Sequence, residues 1–476
     1  MLSREYSGSL RKNGAASGAR WLLADRVSRT LSGASLESVA DPVERIVRLA
    51  VPVGRIDPFR WLSEQQTVPR VYWSGRGDRA GVAAVGAADL REAGVIESAG
   101  SLSKLLASLP NLGNSGARYY GGARFDPLGE PNEEWAAFSA SRFVLPRFEL
   151  HVGGTEATLV CNLVLPRDTD DASKIVQEIE DLPLPEGASG ALHLPTPILR
   201  KDGPDLRGWR ENVERALRAF SEGRLGKVVL ARRAEFGFDE DLEPALLLEN
   251  LKAATPGCFH FYAESEDGTA FLGASPELLF RRDGRAVESE AVAGTRPRGV
   301  SSAEDEGLRD DLLHSAKDLS EHTYVSKGIR EALAPLCDEL EIEDHVSDMK
   351  LARGRHLRSK VRGTLRDGVT DAGLLDAMHP TPAVGGYPRT EALEEIRALE
   401  PFDRGWYAGP VGWIGAGASE FTVGIRSGLV RGRTLALFSG AGIVAGSVPD
   451  EEWEEIEQKI GDFTGMFGLE QGHAAR

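Results

Sequence analysis

The pattern of apolar and polar positions divides the chain into a weakly and a strongly patterned part. Residues 1–115 are rich in Ala, Gly, Arg and Ser with little periodicity, and we predict no chemistry from them. From residue 118 onward, β-branched and aromatic runs lie between turn formers, which is typical of strands. The segment 142–165 predicts two strands joined by a Gly-Gly turn. The stretch 182–204, rich in Pro, Asp and Gly, predicts a loop or a boundary.

The periodic signals strengthen after this boundary. Residues 209–220 carry apolar side chains at helical spacing, and 226–236 predicts a buried strand. We expect a helix from Leu308 to Leu336. Further strands, ahead of a terminal helix, are predicted at 258–264, 270–280, 408–417, 420–430 and 434–444. Because strands and helices mix without a regular βαβ alternation, we predict an α+β fold.

This patterning suggests three regions. Residues 1–115 form an N-terminal segment of unassigned role within the same globule, 116–204 form the first part of an α/β fold, and 205–470 form the region that carries the chemistry. A length of 476 residues suits two or three average domains or one large domain.

Composition and charge exclude several classes of function. The formal net charge of -17 argues against a nucleic acid partner, because phosphate contacts require a basic face. No apolar run reaches the roughly 18 residues that a membrane span needs, and the N-terminus has no secretory h-region. Three cysteines, about 80 to 100 residues apart, form neither a disulfide framework nor a zinc spacing. We therefore expect a soluble, cytoplasmic protein, with a monomer as the default state.

The glycines between Ser439 and Gly446 have a spacing that resembles a dinucleotide-binding fingerprint. That interpretation requires a helix, a second strand and an acidic residue about 20 positions further on. Only about 30 residues remain, and the helix there follows Pro449 rather than the glycines, so we set the interpretation aside. The glycine backbone would still let a carboxylate ligand approach closely.

The terminal segment 449–463 contains a run of carboxylates that a helix would divide between two faces. When the segment is projected as a helix at about 100° per residue, one face carries an apolar stripe that comprises Trp453, Ile456, Ile460, Phe463 and Phe467. Glu452, Glu455 and Lys459 lie along the border of this stripe. The side chains predicted to face water are Glu451, Glu454, Glu457 and Gln458. Asp318 and Glu321 have the same three-residue spacing on another predicted helix, and two such pairs could hold a hard cation such as Mg²⁺.

Eight segments occur in a characteristic order: GKVVLAR, FLGASPELLFRR, EAVAGTRPRG, DLSEHTYV, MHPTPAVGG, EFTVGIRSG, LFSGAGIVAGS and EEWEEIEQK. In this order they resemble the chorismate-utilising enzymes, which include isochorismate, salicylate, anthranilate and aminodeoxychorismate synthases. The sharp matches cover about residues 225–468, and a looser match begins near residue 118. The resemblance implies a single large chorismate-binding α/β fold with packed β-sheets, peripheral helices and an active site in a cleft.

The resemblance also implies chorismate as the substrate and a Mg²⁺ cofactor that anchors one of its carboxylates. Matched motif by motif, Glu321 and Glu455 are implied as direct metal ligands, with Asp318 and Glu452 in support. Such a site presents a cation to a dianion inside an acidic protein. The residues implied to bind a substrate carboxylate are Arg426, Lys459, Gly440 and Gly442.

Two further matched positions imply the reaction. Lys227 occupies the position of the general base in the water-using members, and a lysine acts as a base only when partly neutral. Glu277 matches the general acid that protonates the departing C4 hydroxyl, which requires a raised pKa. Without the resemblance, Lys227 could equally extend from a strand end and Glu277 could simply begin a turn. The residues implied to line the remaining pocket are Gly294, Thr295, Ala383 and His379.

Further sequence positions indicate which branch of the family this chain resembles. Ala293 stands where aminodeoxychorismate synthases carry a lysine nucleophile, so we expect no covalent intermediate there. The segments around Ala293 and His379 look most like isochorismate synthases of the menaquinone type, for which no glutaminase subunit is expected. Salicylate synthase, an amine-using relative and a non-catalytic chorismate-fold subunit remain alternatives. A non-catalytic subunit would be expected to have lost Lys227, Glu277 or a metal carboxylate, and all are present.

Overall fold

The computed structural model describes residues 15–37, 44–77, 80–94, 101–129, 132–154, 156–185 and 195–465. It is 35% helical and 37% strand, so the predicted α+β class is confirmed. Within the described ranges, no helix combines the length and the apolar character that crossing a bilayer requires.

The strands are β1 (Arg45–Val53), β2 (Arg70–Ser74), β3 (Gly81–Ala93), β4 (Arg118–Ala123), β5 (Ser141–Gly153), β6 (Glu156–Leu165), β7 (Leu199–Gly203), β8 (Lys227–Gly237), β9 (Phe259–Glu264), β10 (Ala270–Ser275), β11 (Leu278–Asp283), β12 (Ala286–Pro297), β13 (Cys337–Ile342), β14 (Ser347–Lys350), β15 (Gly354–Leu365), β16 (Gly386–Tyr387), β17 (Pro410–Gly415), β18 (Ala418–Val423), β19 (Ser427–Arg431) and β20 (Thr434–Ile443). The helices are α1 (Ala15–Glu37), α2 (Pro58–Ser63), α3 (Ser101–Ala107), α4 (Ala172–Asp181), α5 (Leu206–Ser221), α6 (Pro244–Ala254), α7 (Ser302–His314), α8 (Ala316–Leu333), α9 (Asp371–Met378), α10 (Arg389–Leu399) and α11 (Pro449–Thr464). Short 3₁₀ helices span Glu133–Phe138, Arg167–Thr169 and Ala334–Leu336.

Strand β5 joins two arms of one antiparallel sheet. Along one edge it pairs with β3, and the pairing continues through β2, β9, β10, β19 and β20 to β8. Along its other edge it pairs with β6 and β4, and from β4 the pairing continues through β17, β18, β11 and β12 to β15. The two arms therefore contain different strands, β8 and β15, which carry Lys227 and His356. Beyond them, β8 pairs with β7 and β16, and β15 pairs with β13 and β14.

Buried side chains connect the two arms and fill the space around them. Trp73 of β2 donates its Nε1 hydrogen to Glu420 of β18 at 3.3 Å, which links one arm to the other. Trp135 is 1% exposed, and its ring contacts those of Phe271 in β10 and Phe438 in β20. Gly405 has a φ of +52°, and a Cβ there would lie 2.0 Å from the Trp135 ring. A side chain at this position would therefore displace the ring from the core.

The helix predicted over 308–336 is interrupted, because this stretch contains parts of two helices. α7 ends and α8 begins on either side of Ser315, whose backbone is extended (φ -68°, ψ 113°). The Ser315 hydroxyl accepts a hydrogen bond from the amide of Asp318 at 3.3 Å. Since such an N-cap begins a new helix, Asp318 lies in the first turn of α8 and Glu321 lies one turn further on.

The N-terminal region, which shows no interpretable pattern in the sequence, supplies part of the same sheet. β1 pairs along its length with β6, and β2 and β3 connect β9 to β5. The two strands predicted in 142–165 are confirmed as β5 and β6. Of the predicted boundary 182–204, residues 186–194 lie outside the described residues.

A matched pair of leucines tests the packing around β5. Leu145 in β5 is 0% exposed, whereas Leu128 in a loop is 65% exposed. Leu145→Ala removes buried methyl groups and leaves a cavity, so we expect the free energy of unfolding to fall by about 2–5 kcal/mol. Leu128→Ala should change it by less than about 0.5 kcal/mol. Urea denaturation followed by tryptophan fluorescence measures both, and equal losses would contradict this packing.

Candidate active site

A cavity of about 100 Å³ lies where the two arms of the sheet meet helices α8 and α11. Strands β8 and β20 line it from one arm, and β12 and β15 line it from the other. The lining includes ten of the residues implied by the resemblance: Glu277, Gly294, Thr295, Glu321, Ala383, Arg426, Gly440, Gly442, Glu455 and Lys459. These residues are far apart in the sequence, so the fold brings them together.

Lys227, the first residue of β8, forms a buried ion pair at the edge of the cavity. It is 0% exposed, and its Nζ lies 2.9 Å from Glu321 Oε1. No acceptor among the described residues is aligned for a hydrogen bond to that Nζ, so the contact is one of charge. A Cβ at Gly442 would lie 2.1 Å from Glu321 Oε1 and 3.1 Å from Lys227 Cε. A side chain at position 442 would therefore push the two charges out of place.

Glu277 lies between β10 and β11 and is 4% exposed. Its carbonyl accepts from the Thr422 hydroxyl at 2.6 Å, and its amide donates to Ser275 Oγ at 3.3 Å. Burial raises the pKa of Glu277 to about 8; the ammonium of Lys227 opposes this rise, and the carboxylate of Glu290 adds to it. At neutral pH the side chain is therefore mostly a neutral acid that can donate a proton.

A bulge turns the end of β12 toward α8. The register between β12 and β15 shifts between Ala293 and Arg296, and Gly294 has a φ of +66°. A Cβ at Gly294 would lie 2.9 Å from Asp318 Oδ1. Asp318 pairs with Arg296 at 2.9 Å and is not part of the cavity lining. It therefore lies behind the wall that Gly294 forms.

Helix α11 presents Glu455 and Lys459 to the cavity. Lys459 Nζ lies 2.7 Å from Glu455 Oε1 and donates to the Gly440 carbonyl at 2.9 Å. Although burial opposes ionisation of Glu455, the ammonium of Lys459 holds its pKa below the usual value. Glu452 is 1% exposed and pairs with Lys317 of α8 at 2.5 Å; burial raises its pKa, and the charge of Glu455 adds to the rise.

Arg426 reaches the cavity from a strained backbone position. Its φ of +48° lies in the left-handed region, which is rare for residues other than glycine. Its Nη2 lies 2.8 Å from His356 Nε2. Because arginine only donates, His356 accepts at Nε2 and donates from Nδ1 to the Gly294 carbonyl at 2.9 Å. Burial, with the charge of Arg426, lowers the pKa of His356 to about 3, so its neutral ring holds one edge of the guanidinium.

His379 is not among the residues that line the cavity. Its Nε2 lies 3.0 Å from the Phe125 carbonyl, and its ring packs edge-on against the Phe125 ring with centroids 5.9 Å apart. Burial lowers the pKa of His379 to about 3. The neutral ring therefore packs against the segment after β4.

One prediction for the terminal helix is wrong, because Glu457 does not face water alone. Its carboxylate pairs with Arg200 and with Arg232, which is 0% exposed. The Arg232 guanidinium lies 3.6 Å from the centroid of the Trp453 ring. These contacts anchor α11 to β7 and β8. The stripe residues confirmed as buried are Ile456, Ile460 and Phe463; Phe467 lies outside the described residues.

The polar cavity residues that sequence reasoning missed include His356 and Tyr407. The Tyr407 hydroxyl lies 3.1 Å from the position that a Cβ at Gly440 would take, so it closes one side of the lining. Burial raises the pKa of Tyr407, so its hydroxyl stays protonated. Each is an isolated residue within its segment, and no spacing signal in the chain marks either one.

The donor set fits Mg²⁺ if water and substrate complete the coordination. No group of three or more His, Cys, Asp or Glu side chains among the described residues is arranged to hold a metal ion. Glu321 and Glu455 both line the cavity, and each carboxylate lies beside a lysine. Mg²⁺ is commonly bound through one or two carboxylates and retains several other ligands. Two hard oxygen donors at one cavity wall are therefore compatible with this ion.

Comparison with known proteins identifies the class to which this fold and cavity belong. The family described as chorismate binding enzyme matches residues 34–468. The chain therefore belongs to the chorismate-binding enzymes. This membership agrees with a cavity lined by cationic groups and carboxylates at the junction of the two sheet arms.

The relatives within this family are more specific. The chain is 36% identical to isochorismate synthase 2, chloroplastic, of Arabidopsis thaliana over an alignment of 458 residues. This alignment covers 88% of this chain and 80% of the relative. It is 39% identical over 357 residues to the salicylate biosynthesis isochorismate synthase of Pseudomonas aeruginosa, with 72% of each chain covered. The solved structure of MenF, the menaquinone-specific isochorismate synthase from Escherichia coli, matches with a TM-score of 0.76 and 29% identity, covering 92% of this chain and 100% of that chain.

The protonated state of Glu277 predicts a pH-dependent stability. Its folded-state pKa of about 8 lies above the ordinary value of 4.5. The native protein therefore binds more protons than the unfolded chain between these values, and stability falls as the pH rises through that range. Glu277→Gln removes this fall, so between about pH 4 and pH 9 the variant should gain up to about 5 kcal/mol relative to wild type.

Urea denaturation at both pH values measures this gain. Glu454→Gln, at an exposed position of α11, is the matched control and should follow the wild type. Parallel pH dependence in wild type and Glu277→Gln would contradict a raised pKa at Glu277.

Proposed function

We propose that this chain converts chorismate to isochorismate by adding water at C2 and losing the C4 hydroxyl. The observation that carries this proposal is a buried lysine next to the wall of a cavity that a neutral carboxylic acid lines. Glu277 and Glu321 line this cavity, and Lys227, which is not itself part of the lining, has its Nζ 2.9 Å from Glu321 Oε1. Membership of the chorismate-binding family and similarity to isochorismate synthases support the choice of substrate and reaction.

In the proposed reaction, Lys227 and Glu277 each move one proton. Water attacks C2, and Lys227, which must be in its neutral amine form for this step, takes a proton from it. The ring double bonds shift, the C4–O bond breaks, and Glu277 protonates the departing hydroxide. One water enters and one leaves, so the product is an isomer of the substrate. The neutral acid form of Glu277 is the form that this step consumes.

Binding a dianion in a chain of net charge -17 requires a local reversal of charge. Arg426 and Lys459 line the cavity and supply a guanidinium and an ammonium suited to carboxylates. Gly440 and Gly442 lie beside them, and the absence of a Cβ lets a ligand approach the backbone. The remaining wall toward the substrate ring is assigned to Gly294, Thr295 and Ala383.

We assign Mg²⁺ as the cofactor within the same proposal. Glu321 and Glu455 would hold it, and Asp318 and Glu452 would support them through helices α8 and α11. When bound, the ion supplies a positive charge for a substrate carboxylate next to the two glutamates. Lys227 and Lys459 lie beside these glutamates, at 2.9 Å from Glu321 and 2.7 Å from Glu455.

We further propose that the chain acts as a cytoplasmic monomer and needs no glutaminase subunit. Similarity to isochorismate synthases supports water, not ammonia, as the nucleophile. Ala293, in place of a lysine nucleophile, supports a reaction without a covalent intermediate. Size-exclusion chromatography measures the oligomeric state.

Incubating the purified protein with chorismate and Mg²⁺, without ammonia or glutamine, tests the proposed function. We expect an equilibrating mixture of chorismate and isochorismate without pyruvate, resolved by chromatography. Salicylate with equimolar pyruvate would indicate the salicylate synthase activity instead. An aminated product that forms only with added ammonia would indicate an amine-using enzyme, and no conversion at all would contradict an enzymatic function.

Replacing Lys227 tests the general base. Lys227→Gln keeps a polar side chain but removes the amine that takes the proton, so kcat should fall by about 10²–10⁴-fold. Lys201→Gln, at an exposed position of β7, is the control and should retain wild-type turnover. Undiminished turnover in Lys227→Gln would remove the base assignment.

Substituting the glutamates of the cavity tests the metal site. Glu321→Gln and Glu455→Gln each remove one charged oxygen donor, so the Mg²⁺ concentration for half-maximal activity should rise by about 10-fold or more. Glu454→Gln, exposed on the same helix, should leave it unchanged. Mg²⁺ titration followed by tryptophan fluorescence gives a second readout without turnover. Full activity after exhaustive chelation would contradict the assignment of Mg²⁺ as the cofactor.

A further inference from the structure

Arg76 brings the N-terminal region into contact with the turn that carries Glu277. It follows β2, and its side chain is 21% exposed. Its Nη1 donates to the carbonyl of Pro276, the residue before Glu277, at 2.9 Å. The same guanidinium binds both carboxylate oxygens of Glu290 in β12, each at 2.6 Å. One side chain therefore holds both the backbone before the acid and the carboxylate near it.

Glu290 is a buried carboxylate whose charge acts on Glu277. It is 6% exposed, and after burial and Lys227 it is the next contributor to the pKa of Glu277, which it raises. A second cation also lies near Glu290: Nη1 of Arg358 in β15 is 3.6 Å from Glu290 Oε1. A buried carboxylate that loses its partner is costly. The two-point contact with Arg76 therefore keeps Glu290 in place and offsets its charge.

Other groups facing Glu277 act from different elements. Lys227 comes from β8 and opposes the effect of burial, and Thr381 hydrogen-bonds to the carboxyl group. Glu321 of α8 lies beyond Lys227, at 2.9 Å from its Nζ. The protonation of Glu277 thus depends on a balance between charges on β8 and β12, and Arg76 changes one side of that balance.

We propose that Arg76 is a positioning residue for Glu277, because it holds the Pro276 carbonyl and offsets the charge of Glu290. The acid then meets the substrate at a fixed place, and Arg76 limits how far the charge of Glu290 raises the pKa of Glu277. This inference rests on the proposed function, in which Glu277 is the general acid. The N-terminal region, which carries no recognisable motif, acts on the chemistry through this contact.

Opposite charge changes in the Arg76–Glu290 pair should have opposite effects on the pH profile. In Arg76→Met the Glu290 carboxylate has lost its two-point partner, so the alkaline limb of kcat/KM should move up by about 0.5–1 pH unit. In Glu290→Gln the guanidinium is unopposed, and the limb should move down by a similar amount. The double variant should restore the limb while kcat stays about tenfold low, since the hold on Pro276 is lost.

Two further variants separate positioning from general destabilisation. Arg70→Met is the matched control, since Arg70 of β2 is also largely buried and lies 3.4 Å from the buried Glu264. It should lower stability without moving the limb. Arg76→Lys keeps the charge but not the planar fork, so the limb should stay near wild type while kcat falls. Limbs that move in the same direction in Arg76→Met and Glu290→Gln, or not at all, would overturn the proposal.

A titration without substrate distinguishes this inference from the proposed function. ¹³C NMR of the glutamate carboxyl carbons follows the protonation of Glu277, whose signal is assigned by its loss in Glu277→Gln. Opposite movements of that titration in Arg76→Met and Glu290→Gln would support the role of Arg76 even if chorismate is not converted. An unchanged titration in variants of an active enzyme would overturn the role of Arg76 and leave the proposed function standing.

Discussion

A buried charge must be paired or removed, and this constraint organises the cavity. Lys227, which is 0% exposed, lies beside Glu321, and Glu452, which is 1% exposed, pairs with Lys317. Glu277 satisfies the same constraint differently, because burial raises its pKa to about 8 and it stays a neutral acid. The physical rule that permits charges in a protein interior thus also produces a lysine and a proton donor at one cavity.

These charges can meet only because the backbone leaves room for them. Gly442 faces Val229 across the β20–β8 pairing, and a Cβ there would collide with the Glu321 carboxylate. At the other wall, the bulge of β12 lets Gly294 approach Asp318 of α8. Helix α8 therefore lies close to both arms of the sheet, and its two carboxylates take different surroundings. Glu321 lines the cavity, whereas Asp318 lies behind its wall.

Features that depend on local periodicity could be predicted from the sequence, and features that depend on long-range register could not. The projection of α11 correctly placed Glu452 and Glu455 where the helix meets the core. The same projection placed Glu457 in water, but Arg232 of β8 binds its carboxylate. Arg232 enters from a strand more than 200 residues earlier in the chain, and no local pattern encodes how that strand lies against the helix. The roles of the matched residues still rest on the resemblance.

Long-range register also decides the roles of the two histidines and of Arg76. His379 and His356 are both lone histidines in the sequence, yet only His356 lines the cavity, because the pairing of β15 with β12 sets it beside the Gly294 carbonyl. Arg76 belongs to a region without a motif, and the partners that give it a role lie 200 or more residues away, at Pro276 and Glu290. Motifs therefore locate the groups that would move protons. The groups that change the pKa of those residues lie in other parts of the chain, and the fold brings their charges close. The strength of an acid such as Glu277 is a property of the whole chain.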